Sequence, residues 1–198
     1  MLSDWVRNWT HGVRASAARM LGRLGVSPNA LTVFGYLLNL PVMCVLATGH
    51  MQLGGILVAV ASLFDSLDGA LAREMGQGSV FGAFLDSVAD RFSEGTVFLG
   101  LFLWYLRNGG QLELVLIYAA IFGSLMVSYA RARAQGVGVE CKEGLFTRFE
   151  RVILLAIGLM VQQVRLALWA MAILTNVTAI QRIYHVWRVT GREKQPKS

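Results

Sequence analysis

The sequence predicts an all-α integral membrane protein: six transmembrane helices, an amphipathic interfacial helix ahead of them, and both termini in the cytoplasm. Three observations lead there. The 198 residues are 55% hydrophobic with a mean hydropathy of +0.53, too apolar for a soluble domain of this length. The apolar residues come in long blocks, not in the short alternating runs that mark strands. The basic residues cluster between and beside those blocks, and they do so unevenly.

Residues 1–26 form no apolar core of the kind a cleavable signal carries. Arg7, Arg14, Arg19 and Arg23 interleave with Trp5, Val6, Trp9, Val13, Met20, Leu21 and Leu24. Spacings of three and four put the apolar members on one helical face, as in a helix lying among lipid headgroups. A membrane domain is expected over residues 27–190, since a spanning helix needs about 20 mostly apolar residues. Its segments run over 31–48, with a kink at Pro41, then 52–73, 80–106, 112–134, 146–161 and 166–189. Residues 191–198 read as a polar tail.

Of the 18 Lys and Arg residues, 15 fall on the side of the chain termini. Only Arg107 and Arg165 fall on the other side, and Arg91 lies within the third segment. That bias sets the orientation and predicts a multi-pass protein of the plasma membrane. The formal charge of +6 is therefore juxtamembrane and does not form the continuous basic face of a nucleic-acid-binding domain. Cys44 and Cys141 show neither a metal-ligand spacing nor a disulfide framework, and His11, His50 and His185 are scattered.

The informative anomaly is a run of four aspartates in spanning segments, Asp65-x2-Asp68-Gly69-x2-Ala72-Arg73-x8-Gly82-x3-Asp86-x3-Asp90. A carboxylate costs at least about 2.5 kcal/mol in the middle of a bilayer, so four together require a compensating cation. Residues three or four apart share a helix face, so Asp65 and Asp68 form one pair and Asp86 and Asp90 another. The short link between segments two and three makes them antiparallel neighbours and sets the pairs facing each other at the cytoplasmic end. Such hard oxygen donors suit Mg²⁺, Mn²⁺ or Ca²⁺, and two divalent ions would balance the charge. Two-metal carboxylate sites serve phosphoryl transfer. Gly69, Ala72 and Gly82 leave the adjoining surface open, and Arg73 suits a phosphate or base.

These residues resemble the signature of the CDP-alcohol phosphotransferases: all eight fixed positions stand at the family's spacing over 26 residues. The preceding Ser27-Pro28-Asn29-Ala30-Leu31-Thr32 and the six-helix plan extend the likeness over nearly the whole chain. The resemblance implies transfer of a phosphatidyl-type group from a CDP-linked lipid to an alcohol, with release of CMP. It implies that Asp65, Asp68, Asp86 and Asp90 bind two Mg²⁺, with Mn²⁺ as the alternative. It makes Asp90 the group that takes the proton from the attacking hydroxyl. Asn29, Thr32, Gly69, Arg73 and Ser79 would contact the CDP-lipid. Homodimers are common in the family, and a homodimer is expected here.

The acceptor is read from a second basic group. Arg151 and Arg182 lie further inside their apolar runs than Arg133, Arg148, Arg188 and Arg192, which read as headgroup anchors. A buried arginine needs an anion, and several beside a metal site suggest a phosphorylated acceptor. The stretches Asp86-Ser-Val-Ala-Asp90-Arg91-Phe-Ser-Glu94 and Ser128-Tyr-Ala-Arg131-Ala-Arg133, with Phe149-Glu150-Arg151, resemble the phosphatidylinositol phosphate synthases. That likeness implies CDP-diacylglycerol and inositol phosphate as substrates, with Ser128, Arg131, Arg151 and Arg182 on the acceptor phosphate. Arg131 departs from the lysine usual there. Phosphatidylglycerophosphate synthases are the nearest alternative, although their usual Asp-Pro-x-Ala-Asp-Lys is not found here. A divalent-cation transporter is the alternative from another class, but it would need acidic groups near the bilayer midplane.

Overall fold

The computed structural model describes residues 27–74, 79–141, 144 and 146–193, with the backbone alone for 66–74 and 192–193. The expected interfacial helix of residues 1–26 and the end of the tail lie outside the described residues. Among the described residues there are seven helices and no strand. They are α1 (Pro28–Leu37), α2 (Asn39–Ala47), α3 (Met51–Glu74), α4 (Val80–Arg107), α5 (Gln111–Gly136), α6 (Arg148–Met160) and α7 (Val164–Glu193).

Local signals set the helix starts. The Ser27 hydroxyl accepts the Ala30 N–H at 3.2 Å, and Pro28 occupies the first helical position, where its missing N–H is no loss. Ser79 caps α4 the same way, its Oγ accepting the Gly82 N–H at 2.9 Å. At α6, Glu150 reaches back to accept the Thr147 N–H at 2.8 Å, a capping box that starts the helix at Arg148. The expected kink at Pro41 is a break at Leu38, which divides the first segment into α1 and α2. Pro41 has no N–H to give the Leu37 carbonyl, and its ring crowds that group.

The α1–α2 rod packs on α3 and α4, α3 on α6, α4 on α5, α5 on α7, and α6 on α7. Leu46, Phe98, Leu101, Ile117, Leu159 and Leu168 fill the interior and are wholly buried. Backbones approach closely at glycine. A Cβ on Gly100 would stand 2.6 Å from the Met43 carbonyl oxygen, and one on Gly55 would stand 2.8 Å from that of Ala156. Helices that associate within lipid pack through such small residues, because no hydrophobic force favours protein over lipid.

The outer surface is apolar. Leu112, Val115, Tyr118, Phe122, Leu125 and Tyr129 make an exposed stripe on α5, and Leu166, Trp169, Ile173, Val177 and Ile180 make one on α7. Stripes of this length face lipid, since an aqueous surface does not sustain them. Among the described residues, three segments are long and apolar enough to cross a membrane: Pro28–Ala47, Gln111–Gly136 and Val164–Gly191. The chain is a membrane protein. The 28 residues of α4 are long enough at about 42 Å, but Asp86, Asp90, Arg91 and Glu94 break its apolar run. The 13 residues of α6 reach only about 20 Å against a hydrocarbon core of about 30 Å.

Gly100→Ala is expected to lower unfolding stability in detergent by about 1–3 kcal/mol, because the methyl meets backbone that has nowhere to go. Gly95, on the same helix, has nothing within 4 Å of its virtual Cβ. Gly95→Ala should be neutral or add up to about 1 kcal/mol by helix propensity. Thermal unfolding of the two variants side by side checks both signs.

Candidate active site

Asp65 near the end of α3 and Asp86 and Asp90 in the first turns of α4 converge as the motif spacing requires. One carboxylate oxygen of each lies within 4.8 Å of the others. Asp65 packs beside Gly35 of α1, where a Cβ would lie 3.7 Å from its Oδ1. Three carboxylates this close cannot all stay ionised without positive charge among them. An oxygen-only donor set of this size is the kind that takes hard divalent cations. The backbone of Asp68, Gly69 and Arg73 continues α3. Their side chains lie outside the described residues.

The positive charge present is Arg148. Its Nη1 is 2.5 Å from Asp65 Oδ2 and 2.7 Å from Asp90 Oδ1, and Arg91 reaches Asp90 Oδ2 at 3.3 Å. The contact to Asp90 Oδ1 is an ion pair by distance only, since that oxygen accepts no hydrogen bond of acceptable geometry. Arg148 is therefore not the headgroup anchor its position in a basic loop suggested. The capping box sets the phase: with α6 starting at residue 148, Arg148 and Arg151 share the inward face one turn apart.

Arg151 is 2% exposed, and its anion is internal. Its Nε and Nη2 grip the two oxygens of Glu94 at 2.8 and 3.2 Å, a fork against one carboxylate. Glu94 stands one turn beyond Asp90 on α4. Sequence reasoning gave Glu94 no role and placed Arg148 among the headgroups, and the only signal for Glu94 was the i, i+4 repeat of acids continuing from Asp86 through Asp90. Arg148, Arg151 and Glu94 line one cleft together with Asp65, Asn39, Ser62 and Ser93.

The other expected contacts are local to the same end of the bundle. The Asn29 side chain lies over Gly82, whose virtual Cβ would be 3.1 Å from Asn29 Oδ1. Thr32 is buried and donates its hydroxyl to the Pro28 carbonyl at 3.1 Å. The Ser79 hydroxyl caps α4, so its acceptor capacity is partly spent on the Gly82 N–H. Arg182 is buried and donates to the Val127 carbonyl at 2.5 Å, which ties α7 to α5 beside half-buried Ser128. Arg131 is exposed, and it acts electrostatically on Arg182 together with Arg151 and Arg91.

Residues 25–181 match the sequence pattern of the CDP-alcohol phosphatidyltransferase family. The chain is 38% identical over 167 residues to an archaetidylinositol phosphate synthase of Pyrococcus horikoshii, covering 84% of this chain and 86% of the relative. It is 35% identical over 178 residues to a phosphatidylinositol phosphate synthase of Mycobacteroides abscessus, covering 85% and 81%. The crystal structure of the Mycobacterium tuberculosis phosphatidylinositol phosphate synthase with CDP-DAG bound superimposes with a TM-score of 0.84 at 31% identity, covering 88% of this chain and 94% of that one. The same enzyme in complex with manganese and citrate gives a TM-score of 0.81, again at 31% identity, with 88% of each chain covered.

Glu94→Gln removes the anion of a buried guanidinium and should lower stability by about 3–5 kcal/mol. Arg151→Met in the same chain should recover most of that loss. A double-mutant cycle by thermal unfolding measures the coupling.

Proposed function

The chain belongs to the CDP-alcohol phosphatidyltransferase family, and we propose that it transfers a phosphatidyl group from CDP-diacylglycerol to inositol phosphate, giving phosphatidylinositol phosphate and CMP. The observation that carries the reading is one cleft bordered both by Asp65 of the carboxylate cluster and by the buried Arg151. A donor diphosphate with its cations and an acceptor phosphate need such neighbouring sites of opposite charge. The relatives' names share the inositol phosphate headgroup and differ in the lipid. That favours inositol phosphate over glycerol phosphate, and the CDP-DAG in the M. tuberculosis enzyme supports diacylglycerol as the lipid.

In this reading residues 27–190 are the catalytic domain, with six transmembrane spans and an interfacial helix before them. The termini and the site face the cytoplasm from the plasma membrane, and two chains pair as a homodimer. Asp65, Asp68, Asp86 and Asp90 hold two Mg²⁺, and the manganese in the relative supports a divalent ion of that kind. Bound there, the ions supply charge stabilisation to the diphosphate. Asp90 accepts the proton of the acceptor hydroxyl, for which it must stand within hydrogen-bond reach. Asn29, Thr32, Gly69, Arg73 and Ser79 position the CDP group. Ser128, Arg131, Arg151 and Arg182 hold the acceptor phosphate. Arg151 does so through Nη1, the guanidinium nitrogen outside its fork on Glu94.

Purified protein with Mg²⁺ and CDP-diacylglycerol should release CMP with inositol phosphate, and faster than with inositol, glycerol 3-phosphate or serine. Release with none of the four, or preference for glycerol 3-phosphate, overturns the assignment. Asp90→Asn should lower turnover by about 10²–10⁴ with the fold intact. Arg131→Ala should raise KM for inositol phosphate and leave that for CDP-diacylglycerol unchanged.

A further inference from the structure

Arg148 belongs to no set assigned above, yet it touches two of the three clustered carboxylates. A single nitrogen, Nη1, bridges Asp65 on α3 and Asp90 on α4 at 2.5 and 2.7 Å. These are oxygens that any cation shared by the two helices would use. We propose that Arg148 and a divalent cation compete for Asp65 and Asp90, the guanidinium leaving both carboxylates when the ion binds. The proposal rests on the metal-site reading above.

The contrast with Arg151 supports an exchangeable role. Arg151 meets Glu94 through both sides of its fork, and its side chain is 3% exposed. Arg148 holds its carboxylates through one nitrogen, and its side chain is 32% exposed. Its Nε is buried without a hydrogen-bond partner among the described residues. A guanidinium permanently clamped in a protein uses its paired donors, and this one does not. It also sits at the first position of α6, next to the loop, so a long flexible stem can turn outward without moving the helix.

Charge balance favours the exchange. Arg148 and Arg91 together offset two of the clustered carboxylates, and two divalent ions offset four. A guanidinium 2.5 Å from Asp65 Oδ2 also excludes an ion from that oxygen, both by volume and by repulsion. Arginine and cation therefore compete for the same ligands. By linkage, removing the arginine favours the metal-bound form.

The test reads Mn²⁺ binding to the full chain by electron paramagnetic resonance, in detergent without substrate, with thermal unfolding in EDTA and in Mn²⁺. Arg148→Ala should bind Mn²⁺ about tenfold or more tightly than the parent. It should melt lower in EDTA and gain more from Mn²⁺ than the parent does. Arg148→Lys keeps the charge and should fall between the two; it carries the test if the alanine variant does not fold. Arg133→Ala removes an equal charge from the exposed last turn of α5 and should change the affinity less than twofold. Unchanged or weaker binding in both Arg148 variants, or an equal shift in Arg133→Ala, overturns the proposal. If the parent binds Mn²⁺ and Asp65→Asn abolishes it while Arg148 variants match the parent, only this inference fails. If the parent binds no Mn²⁺, the metal-site reading fails with it.

Discussion

Carboxylate charge gathered at one end of a membrane-embedded bundle is the constraint on which the rest of this structure depends. Asp65, Asp86 and Asp90 share a volume with sides under 5 Å, in a chain whose outer faces are built for lipid. Repulsion among them would drive α3 and α4 apart if nothing positive stood between. Arg148 and Arg91 supply that charge within the chain, and divalent ions are the stronger source. Gly82 helps make the arrangement reachable, since a Cβ there would crowd the Ser79 hydroxyl and the Asn29 side chain.

Along α4 the same constraint is resolved in stages. Asp86 and Asp90 come first, Asp90 buried and paired with Arg148 and Arg91. Glu94 follows one turn on and is paired with Arg151, so its charge is balanced within the protein. Phe98 and Leu101 follow, wholly buried, and belong to the apolar interior. One helix thus runs from paired charge to hydrocarbon, which lets the bundle carry its acids and remain stable within lipid.

Much of this was legible in the sequence. The helix limits agree with expectation to within about four residues, and several rest on local chemistry: Ser27-Pro28 before α1, Ser79 before α4, and Thr147 with Glu150 before α6. The convergence of the aspartates also followed from spacing and one short link. The assignment of Arg148 to the headgroups did not hold, and the physical reason is distance along the chain. Counting basic residues by loop cannot distinguish a cation facing lipid phosphate from one facing a carboxylate 83 residues earlier. The same holds for Arg151. Its burial was anticipated and its need for an anion was argued, but Glu94, 57 residues away, was not identified as a partner.

The sequence by itself therefore determined the class of the protein, the positions of its helices and the convergence of Asp65, Asp86 and Asp90. Each of these depends on residues within a turn or two of one another, or on composition summed over a segment. Tertiary structure alone decided how the charges pair. Several arginines and acids lie at the same end of the bundle, and nothing local distinguishes one match from another. Packing of α3, α4 and α6 made Arg151 a buried clamp for Glu94 and left Arg148 as a half-exposed guest among the aspartates.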